Sequence, residues 1–155
     1  MFKMSRIVYG GTAAVVASTA LISGLYAANS TRTAIVSALL IAALADNLAD
    51  ALSIHVFQES EHRDKEEAFT RTMTNFGTRL LLCISFALLV VLVPLVYATK
   101  VAIVWGMLLL AALTYLVARE RKVKPMLEVI KHLLVASAVI IVSMAIGRWI
   151  GTVLR

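Results

Sequence analysis

The chain has 155 residues, is 61% hydrophobic and only 15% charged, and carries a formal net charge of +6. With a mean hydropathy of +0.89 it lies far from the composition of soluble domains, which points to an integral membrane protein. The positive balance does not indicate nucleic acid, because the basic residues sit at the ends of apolar runs with no aromatic stacking pattern beside them.

A bilayer-spanning helix needs about 20 mostly apolar residues, and five stretches meet or approach that, over 7–28, 34–57, 77–98, 101–118 and 127–153. No run alternates as a barrel strand would, and backbone polar groups in lipid must be satisfied within the segment. The predicted fold is all-α, a single domain of five transmembrane helices.

The first stretch follows MFKMSR and ends at LYAANS, which resembles a small-residue cleavage site. Its apolar region exceeds that of a signal peptide, so it is expected to be a retained span. Gly10-Gly11 within it marks a close helix approach rather than a phosphate loop. After the second stretch, residues 58–76 contain no Pro or Gly, and Glu61 with Lys65 and Glu67 with Arg71 form i,i+4 pairs of the favourable order. They predict that the second helix extends beyond the membrane, with Gly77 as a break before the third span. Cys83, in that span, has no partner for an intrachain disulfide and reads as a small buried thiol. Lys124-Pro125 marks entry to the fifth span, where Ser143, Gly147 and Gly151 form a small-residue face suited to helix packing or a dimer seam. Arg148 and Trp149 read as interfacial anchors. The scattered Met73, Met107, Met126 and Met144 read as packing.

If the spans alternate, Lys3, Arg6, Arg63, Lys65, Arg71, Arg79, Arg119, Arg121, Lys122, Lys124 and Lys131 fall on one side, and Arg32, Lys100, Arg148 and Arg155 on the other. The positive-inside rule then places the N-terminus in the cytoplasm and the C-terminus outside.

The second stretch holds the residues that carry chemistry. An Asp at the centre of a membrane helix costs about 2.5 to 3.5 kcal/mol on insertion scales. At about 100 degrees per residue, Asp46, Asn47, Asp50 and Ser53 share one sector, with Leu48, Leu52 and His55 on the far side. Such a stripe faces other helices or water. Oxygen donors suit hard or borderline divalent ions such as Mn2+ and Fe2+, and Asp46 with Asp50, one turn apart, can reach one ion. Without an ion the pair would hold a proton, so metal entry would release it. The alternatives are a hydrogen-bonded network between helices, as in a scaffold or accessory subunit, and a proton or Na+ pathway. Glu59, Glu61 and His62 offer an entrance site by their i,i+3 and neighbouring spacing, or simply a solvated helix. No nucleophile elbow, phosphate loop or HExxH is present, so no enzyme and no cofactor is expected.

The order of these segments, RIVYGGTAAVVASTALISGL, ADALSIHVFQESE, SFALLVVLVPLV and AIGRWIG, resembles the vacuolar iron transporter family. The resemblance covers nearly the whole chain and implies a homodimer exchanging Fe2+ or Mn2+ for protons along its first and second helices. The family's Asn-Asp-Gly element falls on Thr12, Ala13 and Ala14. Its second-span Ser-Met and Gly-Glu fall on Ser53, Ile54, Phe57 and Gln58, so only the serine is kept, with Glu59 one position late. The Glu-rich cytoplasmic domain of larger members is absent between the second and third spans. The resemblance thus implies a compact divergent member with relocated carboxylates at Asp46 and Asp50, expected in a prokaryotic plasma membrane.

Overall fold

The computed structural model describes residues 4–60 and 65–153, and the side chains of 10–46, 48–49, 52–53, 56 and 72–153. These residues form five α-helices: α1 (Met4–Ala27), α2 (Arg32–Ser60), α3 (Lys65–Leu92), α4 (Leu95–Glu120) and α5 (Pro125–Val153). Among the described residues, four stretches are long and apolar enough to cross a bilayer, Gly10–Ala27, Thr72–Leu92, Leu95–Glu120 and Pro125–Val153. The chain is an all-helical integral membrane protein.

Two helix boundaries depart from the sequence reading. Residues 65–76 belong to α3 rather than to an extension of α2, and α3 runs through Gly77 without a break. A glycine inside a helix costs about 1 kcal/mol relative to alanine, too little to end one that is otherwise favourable on both sides. The second departure is at Pro94, which the apolar pattern absorbed into a span over 77–98. Proline lacks an N–H and turns the preceding residue away from helical backbone, so α3 stops at Leu92 and α4 begins at Leu95. The Pro94 carbonyl accepts from Tyr97 and Ala98 at 2.9 and 3.0 Å and opens the new helix.

The helix ends are closed by local chemistry. After α1, Asn29 takes a φ of 60°, and Asn29 and Ser30 donate to the carbonyls of Tyr26 and Leu25, each at 3.0 Å. Lys122 repeats this arrangement after α4, with a φ of 56°. Both are left-handed C-terminal caps. The Thr31 hydroxyl then accepts from the Ala34 N–H at 3.2 Å and starts α2. In the next position, Arg32 donates through both terminal nitrogens to the carbonyls of Val91 and Val93, at 3.2 and 3.3 Å. A basic fork thus satisfies the carbonyl end of α3.

Successive helices alternate in direction, and α1 touches all four of the others. Its C-terminal half lies on that of α5. A Cβ on Gly147 would collide with the Gly24 carbonyl, and one on Gly151 would come within 3.3 Å of Ala28. The Ser143, Gly147 and Gly151 face is therefore filled by α1 of the same chain. All five helices contribute to the core around Val15, Ile22, Ile35, Leu39, Phe86, Val90, Ala102, Leu110 and Ala136.

Gly147→Ala is expected to lower thermal stability in detergent by about 1 to 3 kcal/mol, because a backbone carbonyl cannot rotate away. Gly77→Ala, where an added Cβ meets nothing within 4 Å, should instead stabilise by up to about 1 kcal/mol. Melting curves of the two variants should move in opposite directions. Arg32→Ala should cost about 1 kcal/mol by leaving the α3 carbonyls without their donor, and Arg32→Lys should recover only part of it.

Candidate functional site

The bundle-facing row of α2 runs Ile35, Leu39 and Ala43, all buried, and Asp46 follows at the next helical step. The opposite row, Ile41, Leu44, Leu48, Leu52 and Val56, is exposed, as a lipid-facing row would be. Of the sector derived from the sequence, Asp46 and Ser53 are the described side chains, and Asp46 lines a crevice with residues of α1 and α3. The side chain of Asp46 is itself accessible, since it lies where α2 emerges from the packed part of the bundle. Ser53 is also exposed, and its hydroxyl donates to the Ala49 carbonyl at 2.9 Å; the oxygen keeps lone pairs for a cation. The side chains of Asn47, Asp50, His55 and Glu59, and residues Glu61 and His62, lie outside the described residues.

A residue that the sequence reading took only as an orientation signal stands at the centre of the site. Arg79 is 8% exposed and belongs to a row on α3 of Thr72, Asn75, Arg79, Cys83, Phe86 and Val90, every member of which is buried. The spacing of three and four residues that marks a packed helix face runs through a polar start into an apolar end, and that pattern was available in the sequence. Glycine on α1 makes room for it. A Cβ on Gly10 would collide with the Asn75 side-chain oxygen and lie 3.0 Å from Cγ of Arg79.

Arg79 borders two cavities. One is a narrow crevice of about 10 Å³ between α1, α2 and α3, lined by Ala14, Ser18, Leu39, Ala43, Asp46 and Cys83 as well as Arg79. That volume is at the threshold for a single water. Within it the Ser18 hydroxyl donates to the Cys83 sulfur at 3.6 Å. The other is an open cleft of about 610 Å³, on the side of α1 that meets α5.

A guanidinium taken out of water requires an anion or a full set of acceptors, and Asp46 is the carboxylate sharing the crevice with Arg79. The arrangement can tie α2 to α3 through opposite charge. It can equally hold Asp46 ready for a cation that competes with the arginine. Among the described residues no group of three or more His, Cys, Asp or Glu side chains is placed to hold a metal. Thr12 and Ala13 line the open cleft.

Comparison of the chain with protein-family models, with curated proteins and with solved structures finds no match.

If Asp46 and Arg79 act as a pair, a double-mutant cycle of Asp46→Asn and Arg79→Gln, read by thermal unfolding in detergent, should show a coupling of about 1 kcal/mol. Additive single effects would mean that they share a crevice without interacting.

Proposed function

We propose that the protein is a membrane transporter for divalent metal ions, Fe2+ or Mn2+, that exchanges them for protons. The observation that carries this reading is the placement of Asp46 on the bundle-facing row of α2. Asp46 is an exposed carboxylate that shares a crevice with the buried Arg79 on an otherwise apolar helix, and a common use of such a group is a proton or ion path. The resemblance of the segments to the vacuolar iron transporter family supports the same substrate class and a homodimer.

In this reading Asp46 and Asp50 bind the ion, and Asn47 and Ser53 complete its oxygen shell. Glu59, Glu61 and His62 supply an entrance. The arriving ion displaces the protons that the two carboxylates otherwise hold, which couples the fluxes. Arg79 lines the same crevice as Asp46, and its positive charge favours release of the ion once protons return. The excess of Lys and Arg in the 119–126 connection and at the N-terminus supports a cytoplasmic N-terminus and an outer C-terminus, and the resemblance suggests a prokaryotic plasma membrane. No catalytic role is assigned to any residue.

A second reading is favoured by Arg79 itself. An ion pair across α2 and α3 would also suit a noncatalytic scaffold or accessory subunit, in which the polar cluster fixes helix positions.

Reconstituted liposomes separate the two. The transporter is expected to take up Mn2+ with counterflow of protons, and Asp46→Asn should reduce that flux at least tenfold while helical content and elution volume stay unchanged. Absence of Mn2+ and Fe2+ flux in folded wild-type protein, with Asp46→Asn impairing assembly instead, would replace the transporter with the scaffold.

A further inference from the structure

The open cleft is a different kind of site from the α2 carboxylates. Its polar lining is Thr12 of α1, Arg79 of α3, and Lys131 and His132 of α5, and its apolar walls are Ala13, Val16, Leu110 and Val135. No carboxylate lines it among the described residues. We propose that this cleft binds the headgroup of an anionic phospholipid.

Three observations support it. The first is charge. Arg79 is a buried arginine that lines the cleft, and a guanidinium fork suits phosphate oxygens. Lys131 gives one contact to Glu128, at 3.1 Å, and an ammonium has three donors. The His132 Nδ1 lies 2.8 Å from the Glu128 carbonyl oxygen, which can only accept, so this contact fixes the ring at the polar rim of the cleft.

The second is the order of the lining. Because α1 and α5 run in the same direction, Val16 lies one turn deeper than Thr12, and Val135 one turn deeper than Lys131. The cleft is cationic near the bundle end and apolar about 5.4 Å further in, which matches a phosphate followed by the start of an acyl chain. A small soluble anion would have no use for the apolar walls.

The third is depth and size. Lys131 lies six residues inside α5, which starts at Pro125 after Arg121, Lys122 and Lys124, roughly 9 Å along the helix. Long basic side chains at that depth reach the headgroup layer. The volume of about 610 Å³ falls in the range of small-ligand sites, about 300 to 1,000 Å³.

Native mass spectrometry of the detergent-purified chain tests this, with phosphatidylglycerol and phosphatidylcholine of matched acyl chains added in turn and inorganic phosphate as competitor. One phosphatidylglycerol per chain should be retained, and phosphatidylcholine should not. Lys131→Gln/His132→Gln should reduce retention at least tenfold, and Val135→Phe, which fills the cleft and keeps its charge, should also reduce it. Lys100→Gln/Arg148→Gln, which removes two exposed positive charges at the other end of the bundle, should leave retention unchanged. Equal retention of the two lipids, unchanged retention in Lys131→Gln/His132→Gln, or equal loss in Lys100→Gln/Arg148→Gln would overturn the site. Displacement of phosphatidylglycerol by millimolar phosphate would make it a soluble-anion site and overturn the lipid assignment. The inference does not rest on metal transport, and an inactive transporter would leave it standing.

Discussion

The arrangement depends on the narrowness of α1. Lipid tails are as apolar as leucine, so helices in a membrane gain little from hiding apolar surface from one another and associate through close packing. Along α1, Gly10, Gly11, Ala14, Ser18 and Gly24 keep the helix thin where its neighbours arrive. Asn75 and Arg79 occupy the space beside Gly10, Leu82 and Leu113 that beside Gly11, and Ser143 with Gly147 that beside Gly24. A wider α1 would push out the same polar row of α3 that gives the bundle its buried charge.

Once Arg79 is inside, electrostatics organises the rest of that end. A guanidinium has more donors than one carboxylate can absorb, and Arg79 borders a crevice with Asp46 on one side and a cationic cleft on the other. The two cavities ask for opposite ligands. A cation at Asp46 is opposed by the arginine, whereas an anion in the cleft is favoured by it. Arg79 is the residue common to both linings, so a ligand in either cavity meets the same side chain.

Much of the bundle was legible in the sequence because spanning length and hydropathy are read from composition alone. The ends of α1, α2 and α5 fall within a few residues of the predicted spans. The stretch from 58 to 100 was misjudged where local signals compete. Gly77 reads as a break, yet its helical cost is small, and Pro94 was hidden by the apolar residues around it although it ends α3. The place of Asp46 one helical step after the buried Ile35, Leu39 and Ala43 was legible because an apolar helix has a clear angular period. Arg79 was missed for the opposite reason. Positive charge near a helix end has a ready explanation in membrane orientation, and only the row from Thr72 to Val90 reveals that it faces inward.

The central claim is that a carboxylate of α2 takes a metal ion in exchange for protons although Arg79 stands beside it. Isothermal titration of Mn2+ into the detergent-purified chain, in two buffers of different ionisation enthalpy and beside Asp46→Asn, tests it most directly. The account predicts saturable binding whose heat differs between buffers, as proton release requires, and which is lost in Asp46→Asn. No binding by the folded wild-type chain, or binding that Asp46→Asn leaves intact, would contradict it.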